Sequence, residues 1–108
     1  MTPICDQLSH LYNVPMKYLG HAQATGAGFS GELANVFRCA AETCARHFDP
    51  DIGYFFSGGG PIRGGRTCNC ANPPPVLAIV KVHEKQKTVT YGCLLCGKTE
   101  DHAYSPCP

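Results

Sequence analysis

The segment TVTYGCLLCGKTED, residues 88–101, holds two cysteines separated by two residues, Cys93 and Cys96. This spacing occurs in redox-active dithiols, in disulfides and in metal sites. A redox pair of the thioredoxin type opens a helix after a buried strand, and no helical pattern follows Cys96. A tight turn before Gly97 instead aims two thiolates at one ion and lets backbone N–H groups approach the sulfurs. The spacing therefore favours a metal knuckle.

A matching pair of cysteines, Cys68 and Cys70, lies upstream, and the 108-residue chain holds eight cysteines in all. The N-terminal residues show no basic region followed by an apolar run, so we expect an intracellular protein, in which so many cysteines indicate metal ligands rather than disulfides. We predict a structural Zn²⁺ site because four thiolates leave no open position on a tetrahedral ion. Its ligands are Cys68, Cys70, Cys93 and Cys96, although zinc ribbons normally have two residues between the first pair.

A second zinc site is predicted from Cys44 and His47, which are three residues apart on an expected helix, together with His102 and Cys107 near the C-terminus. The alternative for Cys44 is a small apolar residue of the core. Cys39 is expected on the opposite, polar face of the same helix. Cys5 is left open, as a ligand of either site or of neither.

The pattern of apolar residues predicts an α+β fold with one zinc-binding domain over residues 1–108. Helical spacing appears in Thr2–Gln23 and in Ser30–Phe48, so residues 1–50 are expected to be helical. Residues 51–67 form a glycine-rich loop. Residues 68–108 form a zinc-ribbon-like β-hairpin, because β-branched runs flank the polar sequence HEKQK.

Two short stretches resemble known motifs. CLLCGKTED resembles a knuckle of the Churchill family of small zinc proteins, and the likeness implies metal binding over nine residues and no particular function. QLSHLYNVPMKYLGHAQ resembles the helix-turn-helix of bacterial repressors, with MKYLGHAQ as its recognition helix. That segment has one lysine and no arginine. Phosphate contacts and guanine recognition would both be poor with this composition.

The net charge of +1 and the lack of a basic run argue against a protein that binds nucleic acid mainly through phosphates. We expect a regulatory or adaptor protein that binds zinc and acts by contacting another protein, similar in size and composition to many small cysteine-rich proteins encoded by viruses. The alternatives are a nucleic-acid-binding transcriptional regulator with a helix-turn-helix and a zinc ribbon, and an enzyme with a Cys/His site. The contact surface is expected in the glycine-rich loop, around Phe55, Phe56 and Ile62, and at the exposed end of the hairpin. The alternative for the three apolar residues of the loop is that they pack on the Ser30–Phe48 helix as part of the core.

Overall fold

A computed structural model describes residues 2–7, 14–26, 29–56, 66–83 and 85–103. In these ranges the chain is all-β and forms two antiparallel sheets, each a meander in chain order. The first sheet contains β1 (Met16–Gly26), β2 (Phe29–Cys39), β3 (Arg46–Asp49) and β4 (Gly53–Phe56). The second contains β5 (Ala78–His83), β6 (Thr88–Gly92) and β7 (Thr99–Ala103). A search of the described ranges finds no helix with the length and apolar character needed to cross a membrane.

The predicted α+β fold is wrong, because the described residues of the expected helices form no helix and most of them lie in strands. The segment Ser30–Phe48 holds most of β2, a turn and the start of β3. The would-be recognition helix MKYLGHAQ lies within β1, so the helix-turn-helix interpretation is wrong as well. Part of the expected glycine-rich loop is strand β4.

A β-bulge explains why β2 resembles a helix in sequence. Gly20 pairs with Val36 and Ala22 with Leu33, so β2 advances by three residues while β1 advances by two. An extra residue in one strand lets side chains three positions apart point to the same face of the sheet. Leu33 and Val36 are accordingly buried in one cluster. Their spacing matches a helical period although the backbone is extended.

One face of the first sheet carries a row of aromatic residues. Phe37 pairs with Phe48 across β2 and β3, and Phe48 pairs with Tyr54 across β3 and β4. The Phe48 and Tyr54 ring centroids are 4.7 Å apart. Phe48 is fully buried and packs in a cluster that includes Ala78 of the second sheet. The aromatic row therefore lies at the contact between the sheets.

The other face of the first sheet has a smaller apolar cluster. Phe55 is buried there against Leu33 and Val36. Phe56, its neighbour, is 40% exposed, and the Arg46 guanidinium lies 4.6 Å from its ring centroid. Phe55 is therefore a core residue of the sheet rather than part of an exposed contact surface. Ile62 lies outside the described residues.

The tyrosine hydroxyl of Tyr54 joins the first sheet to the N-terminal segment and to β5. It donates a hydrogen bond to the carbonyl oxygen of Ile4 at 2.7 Å and accepts one from the backbone N–H of Ile79 at 3.0 Å. Ile4 and Ile79 are also joined directly, by a backbone hydrogen bond of 2.7 Å. Burial raises the pKa of Tyr54, so the phenol stays protonated and keeps its role as donor.

The change Tyr54→Phe is expected to lower the free energy of unfolding by about 2 kcal/mol, because it removes both hydrogen bonds and leaves a buried N–H without its partner. Urea denaturation measures the loss. Tyr18→Phe is the matched control, since that ring is 61% exposed and its hydroxyl is 3.5 Å from Asn35. Equal losses for the two variants would contradict a linking role for Tyr54.

The predicted hairpin in the C-terminal half is confirmed: β5 and β6 pair antiparallel, and β7 adds a third strand. A register shift between Ile79 and Lys81 places an extra residue in β5. Ile79 and Val82 consequently share one cluster with Val89 of β6. The alternation of side chains between the two faces of the sheet, which a regular strand shows, is interrupted at that point.

Candidate metal centre

Two tight backbone segments position the four cysteines of the predicted zinc site. Cys68 follows a β-bridge between Thr67 and Val76, and its N–H donates to the carbonyl oxygen of Pro75 at 2.9 Å. Cys93 directly follows β6, and its carbonyl oxygen accepts a hydrogen bond of 2.9 Å from the N–H of Gly97. Gly97 has a φ of +82°, a conformation that glycine adopts without steric cost. The turn therefore brings Cys96 back towards Cys93.

The structure brings the four sulfurs of Cys68, Cys70, Cys93 and Cys96 together. All four Sγ atoms lie within 4.8 Å of one another, and the pairs Cys68–Cys96 and Cys70–Cys93 are 3.7 Å and 3.6 Å apart. A disulfide would require about 2.05 Å. Four thiolates around a tetrahedral Zn²⁺ with bonds of about 2.3 Å are about 3.8 Å apart. The spacing therefore fits one metal ion. We refer to these residues as the four-cysteine cluster.

Backbone N–H groups point at two sulfurs of the four-cysteine cluster. Burial opposes ionisation of Cys93. This effect is outweighed by hydrogen bonds to its sulfur from the backbone N–H groups of Cys96 and Leu95 and from the thiols of Cys70 and Cys96, so the pKa of Cys93 is lowered to about 7. The backbone N–H of Cys70 likewise favours the thiolate of Cys68. Burial and the side chains of Cys96 and Cys93 oppose this contact, and together they raise the pKa of Cys68. Such amide contacts orient and stabilise metal-bound thiolates.

The sulfurs of the cluster cannot all ionise unaided, because four thiolates at this spacing repel one another. The thiol of Cys70 shows how strongly ionisation is opposed, chiefly by desolvation. The residue is exposed, yet its sulfur faces the other three, and loss of water around the sulfur together with the neighbouring thiols raises its pKa to about 12. A bound cation favours the thiolate form of every ligand. The cluster thus has the donor set and the spacing of a structural metal site.

A second group of cysteines that the sequence did not reveal lies in the core. The Sγ atoms of Cys5, Cys39 and Cys44 are within 4.8 Å of one another, and those of Cys5 and Cys44 are 3.9 Å apart. We refer to them as the three-cysteine cluster. Cys39 is buried here, so its expected position on a polar helix face is wrong. The pair Cys39 and Cys44 at the two ends of a turn is the signal that could have indicated this cluster.

Among the described residues of the predicted second zinc site, Cys44, His47 and His102 do not converge on one point. His47 Nδ1 lies 2.7 Å from the carbonyl oxygen of Ala45, and its ring packs on Phe55. Because β3 is extended, His47 and Cys44 do not share a helix face. His102 Nε2 lies 2.9 Å from Glu100 on β7. Cys107 lies outside the described residues.

Comparison of the chain with protein-family models, with curated proteins and with solved structures found no match. The function has to be argued from the geometry of the two cysteine clusters and of the surface around them.

Proposed function

We propose that this chain is an intracellular regulatory or adaptor protein that holds a structural Zn²⁺ in the four-cysteine cluster and acts by binding another protein. The observation that carries the proposal is the convergence of four sulfurs at 3.6–3.7 Å in two pairs. Zinc is the first choice of metal because a tetrahedral all-thiolate site is typical of structural zinc. A reducing compartment is required, since oxidation of these thiols would remove the ligands.

The closed ligand set argues for binding rather than catalysis. Catalytic zinc keeps one position for water or substrate, whereas four cysteines occupy all four positions of a tetrahedral ion. In the zinc-bound protein, the metal would act by fixing the shape of the turn between Cys93 and Cys96. What that turn presents to solvent then becomes the functional question.

The turn of the four-cysteine cluster presents an apolar side chain to solvent. Leu95 lies between the two ligands of this turn and is 61% exposed. Its neighbour Leu94 packs instead against the core between the sheets. A leucine fixed on a rigid turn loses little conformational freedom when it is buried by a partner, so it suits protein recognition. We place the contact surface at Leu95.

Two measurements test this function in sequence. Elemental analysis of the purified, reduced chain should find zinc, and Cys96→Ser should lose one zinc ion per chain. Affinity capture from a lysate of the cells in which the protein is naturally made should then recover a partner with the wild-type chain but not with Leu95→Ser. The zinc content and thermal stability of Leu95→Ser should equal those of the wild-type chain. Leu19→Ser is the matched control, because it alters a different exposed leucine, which lies on β1 and away from the turn of the four-cysteine cluster in sequence.

Other results would contradict the proposal. A zinc-free protein with oxidised cysteines would exclude the structural zinc site. Binding to DNA or RNA that weakens steeply with salt would favour the nucleic-acid regulator instead. Partner capture that is unaffected by Leu95→Ser would place the contact surface elsewhere on the protein.

A further inference from the structure

The three-cysteine cluster is assembled from three separate parts of the chain. Cys5 lies in the N-terminal segment, and its backbone N–H donates a hydrogen bond of 3.0 Å to the carbonyl oxygen of Val14. Cys39 ends β2, where it pairs with Met16. Cys44 lies in the turn that leads to β3 and is held by a 3.0 Å hydrogen bond from its N–H to the carbonyl oxygen of Ala41. Three backbone segments thus aim their sulfurs at one point.

An ion pair next to the cluster holds Cys5 in place. The guanidinium of Arg46 on β3 donates to both carboxylate oxygens of Asp6, at 2.6 Å from Nε and 2.7 Å from Nη2. Both side chains are mostly buried, and a two-point Arg–carboxylate contact fixes orientation as well as distance. The N-terminal segment is therefore attached to the same sheet that supplies the other two cysteines.

The local geometry of Cys5 repeats that of the four-cysteine cluster. The backbone N–H of Gln7, two residues after Cys5, donates a hydrogen bond to the Cys5 side chain, although burial outweighs this contact and raises the pKa of Cys5 to about 12. The same relation holds between Cys70 and Cys68 and between Leu95 and Cys93. An amide directed at a sulfur favours the negative thiolate over the neutral thiol.

We propose that Cys5, Cys39 and Cys44 form a second metal site, which binds a thiophilic cation, Zn²⁺ or Cu⁺, independently of the four-cysteine cluster. Three thiolates fill three positions of a tetrahedral zinc ion or the whole plane of a trigonal Cu⁺. With bonds of about 2.3 Å, the sulfurs would be about 3.8–4.0 Å apart in these two geometries. The Cys5–Cys44 separation of 3.9 Å agrees with both.

The cation replaces the protons of the three thiols. Each cysteine that binds as a thiolate releases its proton to solvent, and the ion compensates the negative charge that would otherwise be buried. No change of oxidation state is involved. Metal binding at this position would lock the N-terminal segment to the turn between β2 and β3. Cys5 and Cys44, which lie in these two segments, are 39 residues apart in the chain.

Native mass spectrometry with added Zn²⁺ tests the proposal. The wild-type chain is expected to carry two ions, and Cys44→Ser and the double variant Cys93→Ser/Cys96→Ser, which each leave two thiolates in the altered cluster, are each expected to carry one. An anaerobic titration of Cys93→Ser/Cys96→Ser with Cu⁺ distinguishes the two metals, because tight one-to-one binding that excludes Zn²⁺ would identify the three-cysteine cluster as a copper site. Either metal supports the proposal. A wild-type chain that binds only one ion with Zn²⁺ and with Cu⁺ alike, and keeps it in Cys44→Ser, would overturn it.

A spectroscopic measurement on the wild-type chain covers the case in which Cys44→Ser does not fold. The ¹¹³Cd nucleus reports how many sulfurs surround it, so cadmium-loaded protein should give two resonances, one from a four-thiolate and one from a three-thiolate environment. A single four-thiolate resonance would overturn the second site. A single three-thiolate resonance would support the second site and contradict the proposed zinc site, so the two proposals fail separately.

Discussion

Removing the metal ion from the four-cysteine cluster is expected to unfold the second sheet. Structural zinc contributes about 10–16 kcal/mol of binding free energy in small domains, and the whole stability of a domain is about 5–15 kcal/mol. The ligands Cys68 and Cys93 pack in one cluster with Leu77 and so connect the segment before β5 to the end of β6. Without a cation the sulfurs take up protons, and the resulting thiols no longer hold these segments together.

Hydrogen–deuterium exchange of the zinc-loaded protein and of Cys96→Ser measures this effect. We expect rapid exchange throughout residues 78–103 in the variant and a melting temperature lower by more than about 10 °C, which corresponds to a loss of at least about 2 kcal/mol. Return of zinc to chelator-treated wild-type protein should restore slow exchange, which is the control for irreversible damage. Equal melting temperatures with and without metal would contradict a structural role.

The change Phe48→Ala is expected to have the largest effect of any single substitution in the first sheet. The ring is fully buried between the sheets and contacts Tyr54 within the aromatic row. Truncation of a buried phenylalanine leaves a cavity and costs about 3–5 kcal/mol. Urea denaturation of zinc-loaded protein should show this loss.

Phe56→Ala is the matched control for Phe48→Ala, because it removes the same number of atoms from a ring that is 40% exposed. Its main described contact is with Arg46, so we expect a loss of no more than about 1 kcal/mol. A loss for Phe48→Ala as small as that for Phe56→Ala would show that the contact between the two sheets contributes little to stability.

The C-terminal half was the more predictable part of the fold. A hairpin of β-branched residues around a polar turn depends on local pairing, and such pairing is visible in a continuous stretch of sequence. The segment 78–92 follows this rule. The convergence of Cys68 and Cys70 on Cys93 and Cys96 follows from the same hairpin, since a hairpin brings together the residues that flank it.

The N-terminal half could not be predicted because two irregularities in its sheet alter the spacing of buried residues. Leu33, Val36 and Cys39 are buried at intervals of three, which is the period expected for a helix. In the structure, Leu33 and Val36 share one face as a result of the bulge, and Cys39 belongs to the opposite face. The burial of both faces hides the alternation that identifies a strand.

The three-cysteine cluster depends on the fold of that half and was missed for the same reason. On a helix, Cys39 and Cys44 would point in different directions, whereas the turn after β2 brings them together. Cys5 joins them through the β-bridge between Ile4 and Pro15, a contact that depends on tertiary structure rather than on local sequence. The spacing of Cys39 and Cys44 occurs in zinc ligand pairs, but nothing in the local sequence places Cys5 beside them.

The irregular pairing of β1 also bears on self-association. β1 is eleven residues long and lies at the edge of the first sheet, with β2 as its neighbour in that sheet. A long, flat edge strand invites another chain to add to it, and this is a common route to aggregation. The register shifts on both sides of Gly20, with a φ of +82° at that residue, divide the edge into shorter runs that a second copy cannot match in one register. We therefore expect the same distortion that disguises the strand in sequence to disfavour edge-to-edge pairing of two copies of the chain.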